Sequence, residues 1–223
     1  MIQEEAERWA KELKIDSTQV IREEWELKIL KILFDSALGQ KVYFKGGTAL
    51  RLAFGSPRFS EYLDLTAFRS ITKEEFRSFA KMVSQSSPSI KISDLKSKFY
   101  THLAEFKITE NYLPKNFSIK VEISKRETKS RYSLRMLTSA VSDLQVLANV
   151  EELDDIYKEK LAALSSRKKG RDLFDIWYIS QKMKRVMPEG LVKINKREIR
   201  QINKFLPLNL RQITPELEEK YGA

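Results

Sequence analysis

Lys45-Gly46-Gly47-Thr48-Ala49-Leu50-Arg51, followed by Pro57-Arg58-Phe59-Ser60-Glu61-Tyr62-Leu63-Asp64-Leu65, is the part of this chain whose residue types suit chemistry on phosphates. Gly46 and Gly47 lack the Cβ atoms that would block a backbone approach. Amide N–H groups and the Thr48 hydroxyl could therefore face a triphosphate at a helix N-terminus. Gly-Gly-Thr alone also serves ordinary tight turns, and its weight here comes from its neighbours. Arg58 and Ser60 stand just before an acidic strand, where Arg58 could reach a phosphate or a nearby acid. Phosphoryl-type transfer calls for metal ions to neutralise the attacked phosphate, and so for carboxylates converging from adjacent strands. Strand residues alternate between faces, so Tyr62 and Asp64 share one face and Glu61 projects from the other. Asp64 is thus placed as a metal ligand, with a tyrosine as its same-face neighbour.

This stretch resembles the first motif of the AbiEii/AbiGii-type nucleotidyltransferase toxins, a branch of the polymerase-β-like superfold. That motif reads roughly KGGTAL followed by G-x-x-R-F-S-x-D-L-D-F. The resemblance makes Tyr62 the position of a missing metal-binding aspartate, and it implies a further acid at Glu122, within Ser118-Ile119-Lys120-Val121-Glu122-Ile123-Ser124. Glu159-Lys160-Leu161-Ala162-Ala163-Leu164-Ser165-Ser166-Arg167 and Arg171-Asp172-Leu173-Phe174-Asp175-Ile176-Trp177 resemble the later family motifs, a helix-borne lysine and an R-D-x-x-D element. Without that company, the two segments would read as an amphipathic helix pair joined by a solvated basic loop. The similarity extends over roughly residues 25–180.

What the resemblance implies is a transferase that uses Mg²⁺ in a two-metal arrangement. It would move a nucleotide from an NTP to an RNA acceptor, a tRNA end above all, or to a protein hydroxyl. Asp64 and Glu122 would hold metal; Gly46, Gly47, Thr48, Arg58, Ser60 and Lys160 would hold the triphosphate. Asp172 and Asp175, on one helix face by their i, i+3 spacing, would orient Lys160 or position the nucleotide. A separately encoded antitoxin is the implied partner. The alternative is a non-catalytic NTP- or RNA-binding protein, because a phenol with a pKa of about 10 stays neutral near pH 7 and is a poor Mg²⁺ ligand.

The 223 residues include no Cys and one His, His102, which removes disulfides, thiolate metal sites and histidine triads from consideration. The longest apolar runs fall far short of the roughly 20 residues a bilayer span needs. Glu4, Glu5, Glu7 and Trp9 do not make the basic-then-apolar start of a signal peptide, so a cytoplasmic protein is expected. Charge is unevenly placed. Residues 156–211 hold 15 basic and 5 acidic side chains, the whole of the net +10, while the remainder holds 26 of each. A lobe this basic suits a polyanion, nucleic acid before membrane, with Lys168, Lys169, Arg171, Arg197 and Arg200 as candidate contacts.

The elements that must position these residues follow from periodicity. Helices are expected over 2–13 and, capped by Asp16 or Ser17, to Leu38, with Val20, Ile21, Leu27, Leu30 and Phe34 inward. Strands are expected over 41–45 and 60–68, flanking a short helix from Thr48 to Phe54. Thr72 and Glu75 form a capping box for a helix to about Gln85. Alternation predicts strands over 90–97, 101–109 and 117–124. Helices are expected over 151–165, 171–183, 196–206 and 214–221, the last capped by Thr214 with Pro215 at its first position. The expectation is an α+β fold: a mixed nucleotidyltransferase sheet with flanking helices over 1–145, and a helical, basic part over 146–223.

Overall fold

Alternating burial along residues 117–124 captures how the sheet is built: Phe117, Ile119, Val121 and Ile123 are buried, and the residues between them are partly exposed. Such a strand puts one face on a core and leaves the other for polar work. The computed structural model describes residues 1–223. Its elements, in order, are α1 (Gln3–Leu13), α2 (Ser17–Phe34), β1 (Val42–Lys45), α3 (Gly46–Phe54), β2 (Tyr62–Ala67), α4 (Lys73–Gln85) and β3 (Ile90–Ser97). There follow β4 (Thr101–Ile108), β5 (Phe117–Ser124), β6 (Tyr132–Ser139), β7 (Ser142–Glu151), α5 (Leu153–Arg167), α6 (Gly170–Lys182), α7 (Lys196–Arg200) and α8 (Ile213–Tyr221).

The seven strands form one mixed sheet in the order β3-β4-β5-β2-β1-β7-β6. β2 runs parallel to β5 and β1 parallel to β7, while the other neighbours are antiparallel. α2 packs against β5 and β7, and α4 against β3 and β4. One core takes Leu30 and Leu33 of α2, Phe44 of β1, Val121 of β5, Val150 of β7, and Leu164 and Phe174 of the carboxyl-terminal helices. The α+β expectation with a mixed sheet and flanking helices holds.

The capping signals act where the chain places them. Asp16 accepts from the Thr18 N–H at 2.8 Å, and Thr72 and Glu75 exchange both bonds of the capping box. Several boundaries differ from the sequence-based ones. α2 stops at Phe34, and residues 39–41 form a 3-10 turn whose Gly39 rests on the Phe34 backbone. Residues 196–206 divide into α7 and a 3-10 turn over 201–205. Thr214 does not cap α8: it lies inside the helix and donates to Asn203 Oδ1 at 2.6 Å. The β6–β7 hairpin was not expected. β7 extends to Glu151 and pairs with the inner strand β1, so a division at 145/146 falls within a strand. No helix is long and apolar enough to cross a membrane.

Candidate active site

Asp64 on β2 and Glu122 on β5 are register partners on adjacent parallel strands, with Tyr62 opposite Lys120 one repeat away. Leu63, Leu65, Val121 and Ile123 fill the opposite face and are buried. Period-2 geometry therefore commits all four polar side chains to the same face. They line a cavity of 410 Å³ with Gly47, Arg58, Ser60, Lys160, Arg167 and Arg171. A second lobe of 420 Å³ shares Asp64, Glu122, Lys160 and Arg167 and adds Lys45, Gly46, Ser124 and Glu159. The two lobes form one cleft between the sheet and the α5–α6 pair.

The glycines serve this cleft by close approach. Gly46 has a φ of +81°, and a Cβ there would meet Asp64 Oδ2 at 2.8 Å. At Gly47 a Cβ would run into the Arg58 guanidinium and lie 2.9 Å from Ser60 Oγ. The missing side chains thus let the start of α3 sit directly on the acidic strand. Thr48 does not face the cavity as the sequence suggested. It is fully buried and its hydroxyl donates to the Tyr62 carbonyl at 2.6 Å, tying α3 to β2.

Behind the cleft lies a buried ionic cluster. Arg58 donates from Nε and Nη2 to the two oxygens of Asp175, both at 2.9 Å. Lys160 reaches Asp175 at 2.8 Å and Asp172 at 3.3 Å. Arg167 donates to both oxygens of Asp172 at 2.7 and 2.8 Å. Asp172 and Asp175 are fully buried and line neither lobe. They contact Lys160, Arg58 and Arg167 from behind the cavity wall, so of the two roles expected of them, orienting Lys160 or positioning the nucleotide, only the first has a contact in the structure. Burial alone would raise Asp175, but the charges of Arg58 and Lys160 outweigh it and hold the carboxyl below its ordinary range. Arg58 likewise spends its fork on Asp175 and on the Phe59 carbonyl, so only its edge lines the cavity.

Asp64 behaves differently. Burial raises it, and Glu122 adds to the rise against the pull of Lys160, Lys45 and Arg171. Glu122 takes Lys120 Nζ at 2.7 Å, a bond that raises Lys120. Tyr62 is 39% exposed, and the Arg171 guanidinium lies 5.7 Å from its ring centroid. The first lobe carries five cationic side chains against two carboxylates, a balance that favours a polyanionic ligand.

The five candidate nucleic-acid residues differ in how far their charges are already engaged. Arg171 belongs to the cleft, Lys169 pairs with Glu198 at 3.1 Å, and Arg200 grips Glu218 at 2.9 Å. Lys168 and Arg197 are exposed. Sequence reasoning passed over Lys120, Lys45 and Arg167 as cleft residues. Lys120 was legible, since it shares a strand face with Glu122.

Fold and cleft together define a protein of the nucleotidyltransferase class. The family described as nucleotidyl transferase AbiEii toxin, type IV TA system, matches residues 28–221, and the chain belongs to that family. Membership implies an NTP substrate and a companion antitoxin. The match runs past residue 180 through the last helix, which the sequence had left without a counterpart. Among solved structures, MenT4, a nucleotidyltransferase toxin from Mycobacterium tuberculosis, is similar at a TM-score of 0.59 with 17% identity, over 93% of this chain and 68% of that one. JHP933 from Helicobacter pylori is similar at a TM-score of 0.56 with 23% identity, over 75% of this chain and 68% of that one. No curated protein matches.

A two-metal arrangement does not fit the side chains present. No group of three or more His, Cys, Asp or Glu converges anywhere in the chain, and Asp64 and Glu122 supply only two carboxylates. That pair does suit a single Mg²⁺, which takes one or two protein carboxylates and completes its shell with water and substrate phosphates.

Proposed function

We propose that the cleft binds a nucleoside triphosphate and transfers its nucleotide slowly to an RNA hydroxyl, with Tyr62 as the brake. The phosphates would lie against Lys120, Lys160, Arg167 and Arg171, and Asp64 with Glu122 would hold one Mg²⁺. A divalent ion there would neutralise phosphate charge during transfer. The observation that carries this reading is the in-register Asp64–Glu122 pair opposite Lys160, Arg167 and Arg171. In the reaction, the acceptor hydroxyl gives its proton to water as its oxygen bonds to the α-phosphorus, and the bond to the departing pyrophosphate breaks. The cationic wall offsets charge on the pyrophosphate as it leaves.

Arg171 supplies the clean test, because it lines the cleft and forms no ion pair with the fold, whereas Lys160 also compensates two buried acids. An NTP with Mg²⁺ should raise the melting temperature, and Arg171→Ala should weaken that binding about ten- to a hundred-fold, the range of one charge-assisted contact. A chain that no NTP stabilises would overturn the reading. The presence of Tyr62 rather than a carboxylate two residues before Asp64 favours a second reading, a protein that binds NTP without transferring it. Incubation with labelled NTP and total tRNA separates the two, since only the first incorporates label.

A further inference from the structure

The β3–β4 hairpin turns through Phe99 and Tyr100, which are 83% and 53% exposed. The turn is closed by Lys98 N–H donating to the Thr101 carbonyl at 2.8 Å, which leaves the two aromatic residues as its central pair. Gly, Asn and Asp are the residues such two-residue loops favour. Two large apolar rings at these positions, neither contributing to the core, set local preference against solubility. Conflicts of that kind are expected at functional sites.

The surroundings of the rings indicate what they could hold. Phe99 and Tyr100 meet edge to face at 4.6 Å, and the Arg126 guanidinium lies 5.3 Å from the Tyr100 centroid. Lys125 donates its backbone N–H to the Tyr100 carbonyl at 2.8 Å and its ammonium to the Lys98 carbonyl. The nearest ion pair on the hairpin, Lys96 with Asp94, leaves Lys98, Lys125 and Arg126 without a carboxylate partner. Aromatic faces interleaved with unpaired cations suit unstacked bases and the phosphates between them. A duplex, whose bases are stacked inside, would use only the charges.

The tip also lies in line with the cleft. β5 carries Glu122 and Ser124 along the cleft wall, and Thr101, which closes the tip, is the register partner of Ser124. From Glu122 to Lys125 is three residues, about 10 Å of extended strand.

We propose that Phe99 and Tyr100, flanked by Lys98, Lys125 and Arg126, form a docking platform for single-stranded RNA leading into the cleft. The proposal rests on the cleft's reading as a nucleotidyl-transfer site, because the docked strand would be its acceptor. The platform lies outside residues 156–211, where the net charge alone would direct attention.

The test measures fluorescence anisotropy of a labelled single-stranded RNA oligonucleotide and of its duplex against the full chain. Phe99→Ala with Tyr100→Ala should weaken single-strand binding at least about tenfold, with little change for the duplex and an unchanged salt slope. Lys98→Ala with Arg126→Ala should instead lower the log–log salt slope by about 0.7 for each phosphate no longer neutralised. Phe99→Asn with Tyr100→Gly supplies turn-favoured residues, keeps the fold secure and should bind single strands as weakly as the alanine pair. Unchanged single-strand affinity in both ring-less variants overturns the platform, as does an equal loss for the duplex or a parent chain that binds no RNA. If those variants lose only the companion antitoxin, the rings belong to a protein interface and the proposal fails. NTP-induced stabilisation, recorded on the same samples, should survive in every variant; its absence from the parent chain would overturn the cleft reading and leave the anisotropy result to judge the platform.

Discussion

Tyr62 sits two residues from Asp64, about 7 Å along the strand and on the same face, opposite Lys120. A carboxylate there would adjoin both Asp64 and Lys120 and enlarge the donor set from two to three. Tyr62→Asp should therefore raise transfer of labelled nucleotide to RNA by about tenfold or more, the worth of one charge-assisted contact. The stability cost should be small, because the ring is partly exposed and its contact with Arg171 is worth about 0.5–1 kcal/mol. Tyr62→Asn removes the ring without adding charge and should leave transfer low. A silent Tyr62→Asp protein that still binds NTP would favour the non-catalytic reading. Legibility at this scale divides sharply. Asp64 could be found by type and spacing, and Glu122 and Lys160 through the family resemblance, whereas the inward turn of the Thr48 hydroxyl could not, since its acceptor is a backbone carbonyl 14 residues away.

Asp175 ties α6 both to Lys160 of α5 and to Arg58, in the segment that leads into β2. Asp175 is fully buried and compensates both Arg58 and Lys160, so removing it strands two cations in a low-dielectric site. Breaking a buried pair from one side costs about 3–5 kcal/mol, and Asp175→Ala should lose that much in chemical denaturation. Arg171→Ala, on the rim of the same cleft, loses only the contact with Tyr62 and should stay within about 1 kcal/mol of the parent chain. Equal stabilities would show that the cluster contributes little to the fold. The i, i+3 spacing of Asp172 and Asp175 was plain in the sequence, yet the partner Arg58 lies 117 residues away, so their inward direction was not. Helices and the strands of 90–124 were legible because their periodicity matches their burial. The β6–β7 hairpin was missed because Leu134, Met136 and Leu147 are exposed, which breaks the link between apolar type and core that strand reading relies on.

The whole molecule joins a near-neutral sheet to a basic helical lobe, and much of that lobe's charge is already engaged. Lys160, Arg167, Lys169, Arg185 and Arg200 all meet acids within the chain. At the junction between the parts lies Glu151, the last residue of β7, buried and without a well-formed hydrogen bond to either carboxylate oxygen, Ser130 offering only weak compensation. Burial, with Glu159 adding repulsion, pushes it up to about 7 from an ordinary 4.5, despite Lys45 nearby. Between those two values the folded chain keeps a proton that the unfolded chain has released, so stability falls as pH rises through that window and levels off above about 7. Asp155 acts at the other end: burial would raise it, but bonds from Lys158 and Arg131 hold it well below its ordinary 3.8. Its contribution is present above that value and is lost as the medium becomes more acidic. The stability maximum should therefore lie on the acidic side of neutrality. Glu151→Gln keeps the shape and removes the titration, so it should flatten the decline between pH 5 and 7 and stabilise the chain at pH 8 by up to about 3 kcal/mol. Melting temperatures across that range decide it. Parallel pH profiles for the two proteins would mean that Glu151 is ionised at no cost, and that Lys45 reaches it in solution.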